Sequence, residues 1–336
     1  MNYKLDELPD EIKKIIRTSH LVSNKGEHRN SVISSQLTIN GDGLFDGFDI
    51  VPEEPEVKDS NVIWATDNYE TKGDGYFLKD FVNDFSVIVP RIEKSKSEQK
   101  RRSKDKAEVF TPSWLCNEMN NLADDVVLYK GAFNVVSENK KWVPSVSPVK
   151  FSVDYSWVDY ISERRMEMTA GEAPYLMSRY DTTTGAYIPI RDDDNRFARI
   201  GLIDRKLRIV TENANDDEWV KYALVSLLNS FGFEWQGDNL LLARLNFINT
   251  FIDYYKDKFG DNEISEDLLY KVAEISSWNL WQMDGLKMVV PLSCSDTCKS
   301  CQNKTATGHD GELPAVRFLS ENNYVLHAFE DFLLED

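Results

Sequence analysis

The sequence lacks any apolar run long enough to cross a bilayer, and its N-terminus has no apolar core of the signal-peptide kind. Both absences predict a cytoplasmic protein without a membrane anchor. Cysteine is scarce as well. One of the four cysteines, Cys116, stands alone, while the other three lie close together near the C-terminus. This distribution excludes the disulfide framework of a small secreted domain.

Positive charge is also in deficit, with 39 lysines and arginines against 57 aspartates and glutamates and a net charge of -18. The surface as a whole therefore repels nucleic acid and acidic membranes, so any contact with DNA requires a local basic face or a second subunit. A chain of 336 residues that is 41% hydrophobic can nevertheless bury a sizeable core. The composition thus predicts an acidic globular protein.

Charge and turn signals divide the chain into four regions. Residues 1–92 are acidic and rich in turns, with a helix predicted over residues 8–18. Residues 93–107 form a basic linker, predicted to be an exposed segment or helix, whose charge run is either a solvated face or a phosphate contact. Residues 108–290 form the main domain. Residues 291–336 contain a cysteine-rich loop and a C-terminal tail.

A short acidic pattern in the N-terminal region is similar to that of metal-dependent nucleases. Asp49 is followed by Glu56 and Lys58, and two carboxylates with a lysine could hold Mg²⁺ near an attacking water. In so acidic a segment the same pattern also arises as a solvated loop. A restriction endonuclease therefore stays open as an alternative function.

Helices and strands alternate through the main domain. Thr111 and Pro112 predict a helix start, with Trp114, Leu115, Met119 and Leu122 on one apolar face. Later segments predict a helix beginning near Asp216, another over 239–258 that stops at Gly260, and a third that begins at Ser265; the strands fall at 231–235 and 279–283. This alternation predicts a parallel sheet with helices on both faces.

The stretch from Glu167 to Leu176 is rich in small residues. Thr169, Gly171 and Ala173 favour a tight strand-to-helix bend whose backbone N–H groups can approach a charged ligand. In a doubly wound sheet, an acid on the next strand holds ribose hydroxyls, and Glu234 stands at that place. A nicotinamide dinucleotide and S-adenosylmethionine both fit this pattern.

The tail offers four metal ligands. Cys294, Cys298 and Cys301 are followed by His309, a set sufficient for a tetrahedral zinc ion. Reduced thiols on a surface loop are the alternative. If zinc binds, the expected result is a small structural knuckle.

Four motifs in order resemble those of the adenine-specific DNA methyltransferases of restriction-modification systems. They are Phe110-Thr111-Pro112; Glu167-Met168-Thr169-Ala170-Gly171-Glu172-Ala173-Pro174-Tyr175-Leu176; Gly232-Phe233-Glu234 with Ala243-Arg244-x-Asn246; and Trp281-Gln282-Met283-Asp284-Gly285-Leu286. The resemblance implies a doubly wound Rossmann-like S-adenosylmethionine-dependent methyltransferase sheet over residues 108–290, preceded by an acidic N-terminal α+β region.

The resemblance also implies roles for individual residues. Phe110, Thr111 and Pro112 would close over the methionine end of S-adenosylmethionine. Residues of the bend, including Glu167, Thr169, Gly171, Glu172 and Ala173, would surround the cofactor. Glu234 would bind its ribose, and Asp284 would lie near its adenine.

Two departures from the family pattern bear on function. Ala173 replaces a glycine of the family's bend, while Met168 and Ala170 replace its proline and cysteine. The catalytic Asn/Asp/Ser-Pro-Pro-Tyr/Phe motif, which in the family holds the flipped adenine, has no counterpart, since the chain contains no Pro-Pro pair.

These observations predict the cofactor-binding part of an adenine methyltransferase that needs a partner chain for the catalytic motif. A catalytically dead methyltransferase-like binding protein and an acidic anti-restriction decoy remain alternatives.

Overall fold

The computed structural model describes residues 8–22, 33–36, 57–62, 88–105, 107–137, 139–260, 262–304, 309–320 and 323–328. The helices are α1 (Asp10–Ile16), α2 (Lys96–Asp105), α3 (Ser113–Asp124), α4 (Trp157–Ser162), α5 (Leu202–Asn213), α6 (Asp216–Leu228), α7 (Gly237–Phe259), α8 (Glu266–Asn279) and α9 (Lys299–Asn303). The strands are β1 (Thr18–Val22), β2 (Ile33–Gln36), β3 (Val57–Asn61), β4 (Asn134–Val136), β5 (Trp142–Pro144), β6 (Arg165–Glu167), β7 (Ser230–Glu234), β8 (Leu280–Gln282), β9 (Ala315–Ser320) and β10 (Asn323–Ala328).

Three parallel strands position the candidate site. β6 pairs with β7, and β7 pairs with β8. Helices α5 and α6 connect the first two strands, and α7 and α8 connect the second two. The predicted mixed α/β class is therefore confirmed. In the part of the chain that the structure describes, β6 lies at the sheet edge, so the reversal of strand order that defines a doubly wound sheet is not seen.

The remaining strands form small antiparallel sheets. β1 pairs with β3, β4 pairs with β5, and β10 lies between β2 and β9. Helix α1 begins at Asp10, slightly later than predicted, and packs on α8 together with β1. Asp49 and Glu56 of the nuclease-like pattern lie outside the described residues.

Helix α7 is the buried centre of the fold, with its whole first half enclosed. Arg244 of α7 is fully buried. Its guanidinium donates hydrogen bonds to the carbonyl oxygens of Ile16, Thr18, Ser277 and Leu280. Burial lowers the pKa of this guanidinium to about 9. Arg244 therefore joins the N-terminal elements to α8 and β8.

The prediction for α3 was wrong about its buried face. Met119 and Leu122 are exposed, whereas Asn117, Asn120 and Asp124 are buried. The reason is Arg205 of α5, which is itself buried and donates to the oxygens of Asn117 and Asp124. The helix also starts at Ser113, one residue after Pro112, and the Ser113 N–H donates to Asp181 at 2.7 Å.

The basic linker is less exposed than predicted. Residues 96–105 are helical, as allowed, but Lys94 and Arg102 are buried at 6% and 2% exposure. Both cations face Asp238. Charge pairing, which composition does not show, brings these two side chains into the interior. No helix within the described residues is long and apolar enough to cross a bilayer.

Candidate functional site

The small-residue stretch forms a bend directly after β6, but the predicted helix does not follow it: residues 168–201 are turns and irregular backbone, and α5 begins only at Leu202. Thr169, Gly171 and Ala173 have positive φ angles of 52°, 58° and 61°. Left-handed backbone costs about 1–2 kcal/mol for a residue with a Cβ, so the bend needs fixing contacts. The Ala170 N–H donates to the Phe233 carbonyl at 2.8 Å, and the Ala173 N–H donates to the Ala170 carbonyl at 2.7 Å.

Glu234 meets this bend through its carboxylate. One oxygen accepts the Gly171 N–H at 2.7 Å, and the other accepts the Gln236 N–H at 2.9 Å. Burial raises the pKa of the Glu234 carboxyl to about 7, although the two N–H donors act in the opposite direction. The acid at the end of β7 and the bend after β6 thus form one unit.

Two further acids of the bend are buried. Glu167 accepts the N–H groups of Tyr175 and Leu176 at 3.2 and 3.0 Å, and burial raises its pKa to about 8. Glu172 accepts the Arg91 N–H at 2.6 Å and the Tyr180 hydroxyl at 2.5 Å, and burial raises its pKa as well. Glu167 therefore shapes the bend, and Glu172 anchors the segment that contains Arg91.

Phe110 lies against the bend. A methyl group placed on Gly171 would be 3.5 Å from the Phe110 ring, so ring and backbone are close. The Arg91 guanidinium lies 5.2 Å from the centre of the same ring, within reach of a cation–π interaction. The Thr111 carbonyl accepts the Thr182 hydroxyl at 3.2 Å. The structure therefore brings the first two predicted motifs together.

A cleft of about 510 Å³ opens between these elements. Five predicted residues line it: Phe110, Thr111, Glu167, Thr169 and Gly171. The other lining residues come from the same segments and from α3, β6 and α5: Val109, Met119, Asn120, Ala123, Arg165, Met166, Met168, Ala170, Pro174, Tyr175 and Leu202. Its volume is in the range of small-molecule and cofactor sites.

The remaining predicted residues do not line the cleft, and Asp284 contacts none of the residues that do. Pro112 precedes α3, Glu172 is turned towards Arg91, and Ala173 is fully buried. Glu234 reaches the cleft only through Gly171. Asp284 follows β8, where its carboxylate accepts the N–H groups of Leu286 and Lys287 at 3.0 and 3.2 Å. Glu167, Glu234 and Asp284 nevertheless all stand at the carboxyl ends of the parallel strands.

Sequence reasoning missed Asn120 and Arg165 as lining residues. The Asn120 amide donates to the carbonyls of Tyr175 and Ile200 at 2.9 and 3.0 Å, which joins α3 to the segment after the bend. A signal was present, because Asn117, Asn120 and Asp124 recur at helical spacing.

The four metal-ligand candidates of the tail converge in space. The Sγ atoms of Cys294, Cys298 and Cys301 lie 3.7, 3.7 and 3.4 Å from Nδ1 of His309. All four ligand atoms are within 4.8 Å of one another. This cluster could hold a metal ion. Backbone N–H groups of Asp310 and Cys301 lower the pKa of the Cys298 thiol, whereas burial and the neighbouring thiols raise the pKa of Cys294.

Comparison with known proteins gave no relative for this chain. No protein-family model, no curated protein and no solved structure matches it.

Proposed function

We propose that the cleft beside the bend binds S-adenosylmethionine and that the chain is the cofactor-binding part of a DNA adenine methyltransferase. The observation that carries this proposal is the 2.7 Å hydrogen bond between the Gly171 N–H and the Glu234 carboxylate. It joins the acid of one motif to the turn of another at the mouth of a cleft lined by Phe110 and Thr111.

The residues present fit such a cofactor. Phe110 offers an aromatic wall, and the bend offers a backbone surface with little side-chain bulk. The Glu234 carboxylate is buried behind Gly171 and does not line the cleft, so we propose that it holds the bend in shape for the cofactor through its bonds to Gly171 and Gln236. The Rossmann-like interpretation of the sheet belongs to this proposal, with β6, β7 and β8 as consecutive strands of one half.

The bound cofactor would supply an electrophilic methyl group. Transfer to adenine also requires groups that hold the flipped base and accept hydrogen bonds from its amine. The sequence has no Pro-Pro pair to form the family's motif. We therefore propose that a partner chain supplies this motif, and that DNA is contacted through that partner or through a local basic face.

Calorimetric titration with S-adenosylmethionine tests the cofactor site. We expect saturable binding to the wild-type chain and up to about tenfold weaker binding to Phe110→Ala, since one aromatic contact is worth up to about 1.5 kcal/mol. Tyr129→Ala is the matched control, because Tyr129 is partly exposed and does not line the cleft. Absence of binding to the folded wild-type protein would refute the proposal.

The cysteine cluster favours a second, structural role for this region. In a tetrahedral zinc site with Zn–S near 2.3 Å and Zn–N near 2.0 Å, sulfur and nitrogen are about 3.6 Å apart. The three Sγ to Nδ1 distances, 3.4–3.7 Å, agree with that value. We propose a structural zinc ion held by Cys294, Cys298, Cys301 and His309. Metal analysis of purified protein should find one zinc per chain, and Cys301→Ser should reduce this content, whereas Cys116→Ser should not.

A further inference from the structure

Helix α2 carries a buried arginine that connects two parts of the candidate site. Arg102 donates two hydrogen bonds to Asp238, at 2.7 and 2.9 Å, and a third to Glu108. We call Arg102, Glu108 and Asp238 the Arg102 latch. The Arg102 and Asp238 side chains are 2% and 0% exposed, so their interaction is little screened by water.

The two acids of the latch belong to different segments, each close in sequence to a residue of the candidate site. Asp238 lies in the first turn of α7, just after Glu234 at the end of β7. Glu108 lies just before Phe110, whose ring lines the cleft. Additional bonds hold Glu108 to the end of α2, since its N–H donates to the Arg102 carbonyl at 3.3 Å and its carbonyl accepts the Ser103 hydroxyl at 2.9 Å.

Burial contributes little to holding the segment between the latch and the ring. Val109 is 81% exposed, and Ala107 has a positive φ of 52°. Such a segment gains little from the hydrophobic effect, so its position depends on polar attachments. The latch on one side, and the Arg91 contact with Phe110 on the other, are attachments of this kind.

We infer that Arg102 is a positioning residue that holds the Phe110 wall of the cleft against the bend at Gly171. This inference rests on the proposed adenosyl-cofactor site and assigns the residue that holds the aromatic wall of that site in position. With the latch intact, Phe110 is fixed in place before the cofactor arrives. When the latch is broken, the segment before Phe110 moves away and the bound cofactor dissociates faster.

The test compares Arg102→Met with Arg208→Met. Arg208 is also a buried arginine paired with a carboxylate, Glu212, but its other hydrogen bonds go to Phe133, Ser145 and Ser147 and not to the segment before Phe110. Both substitutions lower stability, so S-adenosylmethionine affinity and dissociation rate are measured at a temperature at which every variant is folded by circular dichroism. We expect about tenfold weaker binding and faster dissociation in Arg102→Met only, because the loss of one aromatic contact weakens binding by about this factor.

Further variants separate positioning from folding. Arg102→Met leaves two buried carboxylates, Glu108 and Asp238, with one cation, Lys94, which lies 3.4 Å from Asp238. The double variant Arg102→Met/Asp238→Asn removes the excess negative charge and is therefore tested beside it. It should show the same weakened binding. Arg102→Lys should restore part of the affinity, because an ammonium keeps the charge but loses the two-pronged geometry.

Two binding results would overturn the inference: wild-type affinity in Arg102→Met, or equal weakening in Arg208→Met. Hydrogen exchange of residues 107–111 without ligand gives an independent measurement. It should accelerate in Arg102→Met and stay unchanged in Arg208→Met. If wild-type protein binds no S-adenosylmethionine but exchange behaves as expected, the cofactor proposal fails and the positioning role of Arg102 stands. Unchanged exchange in Arg102→Met refutes the positioning role itself.

Discussion

Replacement of Glu234 by glutamine gives the sharpest test of how the bend is built. Burial raises the pKa of Glu234 to about 7 from an ordinary value of 4.5. Between about pH 4.5 and pH 7 the folded chain therefore retains on Glu234 a proton that the unfolded chain releases. Because the folded state binds more protons than the unfolded state in this range, the free energy of unfolding falls as pH rises from about 4.5 to 7.

The size of the effect follows from these two pKa values. Between pH 5 and pH 8, ionisation of Glu234 should reduce the unfolding free energy of the wild-type protein by about 2–3 kcal/mol. Glu234→Gln keeps the shape and stays neutral, so it escapes this loss. One of the two N–H groups, from Gly171 or Gln236, loses its carboxylate acceptor, which costs about 1 kcal/mol at all pH values. The unfolding free energy of Glu234→Gln should therefore increase relative to that of the wild type as pH rises.

Urea unfolding followed by tryptophan fluorescence, at intervals from pH 5 to pH 8, measures this difference. Glu263→Gln is the matched control, because Glu263 lies exposed in the loop before α8. Its difference from the wild type should not change with pH. Parallel pH profiles for Glu234→Gln and the wild type would show that Glu234 is not buried against the bend. The contact between Glu234 and Gly171 on which the candidate site depends would then be refuted.

Three other predictions concern stability. Gly201→Ala should cost at least about 3 kcal/mol in urea unfolding, because its Cβ would lie 2.4 Å from the Leu176 carbonyl oxygen, which cannot move freely. Asp181→Ala should cost about 2 kcal/mol, since it removes the acceptor of the Ser113 N–H at the start of α3 and of the Thr183 and Thr184 N–H groups. Hydrogen bonds to its carboxylate lower the pKa of Asp181 to about 2, so this contribution should disappear as pH falls from about 4 to 2. Chelation of zinc should lower the melting temperature of wild-type protein but not of Cys301→Ser.

Helices α7 and α8 could be predicted closely from sequence because local signals mark their ends. Gly260 has a positive φ of 69° at the end of α7, and the Ser265 hydroxyl accepts the Leu268 N–H at the start of α8. Both are short-range effects that a single sequence contains. The neighbouring strands could be found as short buried runs: β7 precedes α7, and β8 follows α8.

The polar interior could not be predicted in this way. Arg205, Lys206 and Arg208 form a run that a composition argument assigns to solvent, yet all three are buried in α5. Lys206 donates to the carbonyls of Glu163 and Asn229 at 2.6 and 2.9 Å, and burial lowers its pKa well below the ordinary value. Each of the three also has a partner distant in sequence, such as Asp124 for Arg205, Glu163 for Lys206 and Phe133 for Arg208, and periodicity alone does not identify these.

The candidate site shows the same division. Gly171 and Glu234 could be matched because each follows a strand, and neighbouring parallel strands end at the same edge. The roles of Glu172 and Arg102 could not, because both depend on contacts with segments far away in the chain. The cysteine cluster was predictable as a ligand set, while its convergence with His309 required coordinates.

Arg244 has a consequence for the order in which the chain folds. Its bonds to the carbonyls of Ile16 and Thr18 span 228 and 226 residues of sequence. During synthesis the first helix and strand leave the ribosome long before α7, and their final partners do not yet exist. The carbonyl groups of Ile16 and Thr18 therefore lack their final partner until α7 has been synthesised. The Arg244 guanidinium then binds the N-terminal elements to the centre of the fold.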